Sequence, residues 1–104
     1  MREEKLVVYL KNYCYGREKA VRSAELERIL GISGTDLRKL INRLRRKGVP
    51  IGSGPEGYFY IRTAAEACAT IRQLERMVQG LNADIRGLNQ ALDSFTCEGE
   101  ASRG

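Results

Sequence analysis

Apolar residues return at steps of three and four through most of the chain, and glycine or proline marks most places where the rhythm changes. Leu6, Val7, Leu10 and Cys14, with Tyr9 and Tyr13 beside them, put an apolar side on a first helix, Glu3 to Tyr15, which Gly16 ends. The following "REKAV" is expected to run extended. Ser23 is a good N-cap for a short second helix, "AELERIL", whose Leu26, Ile29 and Leu30 point one way and which Gly31 closes. Only "GIS" separates it from a third helix, with Ser33 as cap and Asp36 three residues on. Leu37, Leu40, Ile41 and Leu44 form its apolar stripe, and Gly48 stops it. The period then shortens. "VPIGS" and "GYFYI" flank "GPE", which reads as two strands around a turn, with Pro50 confining the first to an edge. Alternation along the second strand turns Phe59 away from Tyr58 and Tyr60, so Phe59 is expected in the core.

Thr63 with Glu66 is a capping box that opens a helix from Ala64 to Phe95. From Ile71 its apolar residues keep a heptad: Ile71, Val78, Ile85 and Leu92 at a, Leu74, Leu81, Leu88 and Phe95 at d. Such a helix is about 48 Å long, whereas a domain built from the preceding residues is only about 27 Å across. The later heptads cannot all pack on it. Each of these side chains left in water forgoes about 1.5–3 kcal/mol, and Gly80 and Gly87 weaken a lone helix by about 1 kcal/mol each. A partner helix is therefore expected, with β-branched a and leucine d positions favouring two strands. The residues at e and g carry no opposite charges that choose parallel over antiparallel pairing. The tail at 97–104 is small and polar and is expected to be disordered, with Cys97 incidental.

Charge sharpens this division. Residues 1–62 hold 14 Lys and Arg against 7 Asp and Glu, whereas 63–104 hold 4 against 6. The basic half is the one suited to a polyanion. On the third helix the cations share one side: Thr35, Lys39, Asn42 and Arg46 fall opposite the leucine stripe, with Arg38, Arg43 and Arg45 on its flanks.

Other chemistries find little support. The chain has no histidine, which removes Ser-His-Asp and Cys-His catalysis and mixed Cys/His zinc sites, and no GxxxxGK[ST] phosphate loop is present. No enzyme activity, cofactor or metal is expected. Three cysteines, far apart and without CxxC spacing, fit reduced thiols in a cytoplasm. The start "MREEKLVVYL" argues against export, and no run is apolar enough to span a membrane.

A helix-turn-helix followed at once by a small hairpin is the pattern of a winged helix. "SAELERILGISGTDLRKLINRLRRKGVPIGSGPEGYFYI" resembles the winged-helix DNA-binding domain of the bacterial biotin operon repressor and its relatives, in the serine-led helix, "LGIS", the "LRKLINRLRRKGVPI" register and the closing "GY". It is also similar to small winged-helix proteins of phages and mobile elements. The likeness covers about residues 3–62 and leaves out the ligase domain, so biotin chemistry is not carried over. It implies that the third helix enters the major groove of duplex DNA. Base reading is then expected from Thr35, Arg38, Lys39 and Asn42, and phosphate contact from Arg22, Ser33, Arg43, Arg45, Arg46, Ser53 and Arg62. The tip "GSGPEG" departs from the usual pattern in having no cation, which predicts a weak role for it on DNA.

The expected fold is thus mainly α (α+β): a winged helix-turn-helix with a small β-hairpin wing over 1–62, a long coiled-coil dimerisation helix over 63–96 and a tail over 97–104. The expected function is that of a homodimeric, cytoplasmic, sequence-specific double-stranded DNA-binding protein that regulates transcription. The competing expectation is a protein-interaction module, in which the wing domain or the long helix docks a protein partner in replication or packaging.

Overall fold

The computed structural model describes residues 2–96, and the tail expectation at 97–104, with Cys97, lies outside them. The chain is mainly helical, with α1 (Arg2–Tyr13), a 3-10 turn (Arg17–Lys19), α2 (Ser23–Leu30), α3 (Gly34–Arg46), β1 (Ile51–Gly54), β2 (Gly57–Tyr60) and α4 (Ala64–Thr96). It divides into two compact units, Met1–Ile71 and Arg72–Gly104.

In the first unit the periodic leucines do what their spacing dictates. Leu6 and Leu10 of α1, Leu26 and Leu30 of α2, and Leu37, Leu40, Ile41 and Leu44 of α3 meet in one core, which Ile51 and Phe59 of the hairpin complete. Phe59 is buried while Tyr58 and Tyr60, on the other face of β2, are half-buried. Gly52 lets the Phe59 ring approach β1 closely: a Cβ there would stand 2.5 Å from the ring.

The hairpin is antiparallel, with Ile51 opposite Tyr60 and Ser53 opposite Tyr58. The far side of β2 is also covered. Val21 exchanges two backbone hydrogen bonds of 2.8 Å with Tyr58, Gly16 donates to Tyr60 O and Tyr60 donates to Cys14 O, both at 2.8 Å. β2 is therefore central and β1 is the edge, the place where Pro50 is tolerated. These bonds explain two departures from expectation. α1 stops at Tyr13, because the backbone of Cys14 to Gly16 is committed to β2. "REKAV" is not extended throughout; a 3-10 turn takes Arg17–Lys19, and Val21 reaches β2. Gly57 permits the approach, since at φ +126° a Cβ would sit 2.0 Å from Val21 O.

The caps of α3 and α4 follow the sequence, whereas that of α2 does not. Ser33 Oγ accepts from Asp36 N at 3.1 Å. Thr63 Oγ1 accepts from Glu66 N at 3.2 Å, and Glu66 Oε1 takes Thr63 N at 3.4 Å. Ser23, however, is the first helical residue of α2; Arg22 holds the cap position in extended conformation and makes no side-chain cap bond.

The first unit ends inside α4, beyond the boundary of 62 expected from sequence. Thr70 is 4% exposed and its Oγ1 accepts from Ser53 N at 3.3 Å. In the second unit the side chains from Glu75 to Phe95 are all exposed, and the heptad leucines are among them.

Candidate nucleic-acid interface

α3 carries its four buried residues on one side, and its polar residues fall into three sectors with different surroundings. On the outward sector Thr35, Lys39, Asn42 and Arg46 are exposed, as is Arg38 beside them. Within the described residues, no hydrogen bond or ion pair occupies these five side chains. This sector offers two guanidinium groups, an ammonium, an amide and a hydroxyl along one helix face. Such groups can neutralise phosphates and hydrogen-bond base edges.

The sector facing α1 has both of its cations engaged by one carboxylate. Glu3 Oε2 lies 2.9 Å from Arg43 Nη1 and Glu3 Oε1 lies 3.0 Å from Lys47 Nζ. Hydrogen bonds from Arg43 and then Lys47 hold the Glu3 carboxyl below the usual carboxylate range.

The sector facing the hairpin is tied down. Arg45 Nε donates to Ile51 O at 2.9 Å and its Nη2 donates to Ser53 Oγ at 3.2 Å. Burial pulls this guanidinium below its ordinary value, although it stays protonated at neutral pH. Ser53 N in turn donates to Thr70 Oγ1. Arg45, Ser53 and Thr70 thus form a chain of bonds from α3 through β1 to the start of α4. Arg45 and Ser53, both expected to meet phosphates, have their polar groups directed to this internal link. Ser33, expected in the same set, uses its hydroxyl to cap α3.

The remaining phosphate candidates stay at the surface. Arg22 and Arg62 are exposed. The hairpin tip is not without a cation in space. Arg17, from the 3-10 turn, places Nε 3.8 Å from Glu56 Oε1, and its Nη2 would lie 3.7 Å from a Cβ on Gly54. Sequence reasoning missed Arg17, Glu3 and Thr70 because each meets its partner across a long stretch of chain. No local periodicity marks such pairs.

The position of the 3-10 turn depends on Glu66. Its Oε2 accepts from Arg17 N at 3.0 Å and its Oε1 from Arg62 N at 2.8 Å. Backbone N–H groups of Arg17, Arg62 and Thr63 keep this carboxyl below the usual range.

The residues expected to mediate dimerisation form a continuous apolar stripe on α4. Ile71, Val78, Leu81, Ile85, Leu88, Leu92 and Phe95 are each more than half exposed, Leu88 at 72%, while Leu74 is half-buried.

Protein-family models, curated proteins and solved structures yield no match to this chain. Among the described residues no cluster of three or more His, Cys, Asp or Glu stands together to hold a metal ion. No helix among them is long and apolar enough to cross a membrane. Cys14 is buried in the core, which pushes its thiol up, and Cys68 is exposed.

Proposed function

We propose that this chain is a homodimeric winged-helix protein that binds double-stranded DNA by sequence and regulates transcription in the cytoplasm. The observation that carries the reading is the outward sector of α3, where Arg38, Lys39, Arg46, Asn42 and Thr35 are exposed together with no intramolecular partner among the described residues. A helix of this kind fits the major groove, where Asn42 suits an adenine edge, Arg38 or Lys39 a guanine and Thr35 a thymine methyl. Arg46, Arg22 and Arg62 serve phosphates, and Arg17 offsets the charge of Glu56 at the hairpin tip. Arg45 and Ser53 act instead by fixing the hairpin against α3.

The stripe on α4 is covered by the α4 of a second copy. Its β-branched a positions and leucine-rich d positions favour two strands. Two reading heads on one dimer then recognise two half-sites.

The deciding experiment measures binding of the full chain to a random-sequence duplex library across a salt series. The expected result is binding whose log affinity falls linearly with log salt, with a selected sequence made of two related half-sites. Absence of duplex binding at low salt overturns the reading in favour of a protein-docking module.

A further inference from the structure

Arg43 and Lys47 differ from the outward cations of α3 in one respect: a carboxylate already holds both. Glu3 bridges them at 2.9 and 3.0 Å, and its place is fixed by the packing of α1. Leu6 and Leu10 of the same helix are fully buried, and Glu3 lies in the first turn, where the helix dipole favours an anion. Asp36 and Glu4 line the groove of about 820 Å³ between the start of α1 and α3, along with Glu3, Arg43 and Lys39. A phosphate approaching this flank meets acidic groups as well as basic ones.

We propose that Glu3 sets the edge of the DNA footprint, withholding Arg43 and Lys47 from the phosphate backbone. The proposal rests on the DNA-binding reading above. Its consequence concerns discrimination. Phosphate contacts strengthen binding to every sequence alike, whereas base contacts do not. By holding both side chains and cancelling one of their two positive charges, Glu3 leaves a larger share of affinity to Arg38, Lys39 and Asn42. Glu3 touches no base in this scheme; it acts through its two partners.

Glu3→Gln keeps the size of the side chain and removes its charge. Its expected effect is a salt slope steeper by about 0.9–1.8, one or two added phosphates. Affinity for an unrelated duplex should rise about three- to tenfold at low salt, and the ratio of specific to unrelated binding should fall. Adding Arg43→Ala and Lys47→Ala to Glu3→Gln should restore the wild-type slope. The double variant Arg43→Gln/Lys47→Gln, with Glu3 in place, should leave the slope unchanged and provides a test independent of how Glu3→Gln folds. An unchanged or shallower slope in Glu3→Gln, or a slope shallower by about 0.9 or more in Arg43→Gln/Lys47→Gln, overturns the proposal. Arg46→Ala separates the two readings. If it lowers the slope by about 0.9 while Glu3→Gln changes nothing, DNA binding stands and the role of Glu3 falls. A wild type that binds no duplex removes both.

Discussion

Leucines meet two different fates in this chain. In the unit Met1–Ile71, Leu6, Leu10 and Leu26 are completely buried, each supplied with neighbours by the other helices and the hairpin. In the unit Arg72–Gly104, Leu81 and Leu88 are 61% and 72% exposed although they recur just as regularly. Periodicity alone therefore tells where an apolar face lies but not what covers it. The first unit closes its core with its own residues; the second leaves its apolar face exposed among the described residues, and the proposed dimer covers that face with the same face of a second copy.

Changing that face should give the largest effect. Leu81→Asp removes two apolar side chains from a dimer, worth about 1.5–3 kcal/mol each, and so should weaken association about 10²–10⁴-fold. Sedimentation should show a wild-type dimer at micromolar concentration and a monomeric variant, with weakened DNA binding alongside. A wild type that stays monomeric at tens of micromolar breaks the comparison, because the stripe then has no use for a second copy. Leu26→Ala should instead destabilise the first unit by about 2–5 kcal/mol through the cavity it leaves, read by denaturant unfolding, while the dimer persists. A Leu26→Ala protein that dissociates without losing stability would assign the two regions the wrong way round.

What the sequence made legible follows the same division between local and distant causes. The α3 stripe, the Ser33 cap and the Thr63–Glu66 box all depend on residues three or four positions apart, and they stand as expected. The two-sided pairing of β2 was not legible, because Tyr15 and Val21 reach Tyr60 and Tyr58 across two intervening helices. The same limit affected the site. Periodicity placed Arg43, Arg45 and Arg46 together among the cations of α3, but Glu3 engages the first and Ile51 and Ser53 the second. Only Arg46 keeps an outward position without a partner among the described residues.

Arg45 and Arg46 therefore provide an adjacent-residue test of what the fold adds to the charge pattern. Arg46→Ala should lower the salt slope by about 0.9 and leave stability within about 0.5 kcal/mol. Arg45→Ala should cost about 1–3 kcal/mol of stability, since it leaves Ile51 O and the Ser53 hydroxyl without a charged donor in a part-buried site. Its slope should match wild type once the protein is folded. A slope lost equally in both variants would place Arg45 on DNA and undo the distinction between its sector and the outward one.

Acid should separate the two units by a smaller margin. Glu66 accepts backbone N–H groups from Arg17, Arg62 and Thr63, and Glu3 accepts from Arg43 and Lys47, so both carboxyls titrate below their ordinary range in the folded chain. A folded pKa below the unfolded value, ordinarily about 4.3 for Glu, makes stability complete above the unfolded pKa. It is lost as pH falls through the folded one. Thermal melts from pH 7 to pH 3 should therefore show the unit Met1–Ile71 losing stability below about pH 5. Glu66→Gln should start lower and decline less steeply, because its charge no longer titrates. Thr63→Ala, which removes the other half of the capping box, should cost about 1 kcal/mol at neutral pH. The a and d positions of α4 carry no ionisable group, so the dimer should respond less than the first unit over this range. Association that fails before the first unit melts would mean that charge outside the stripe holds the two copies together.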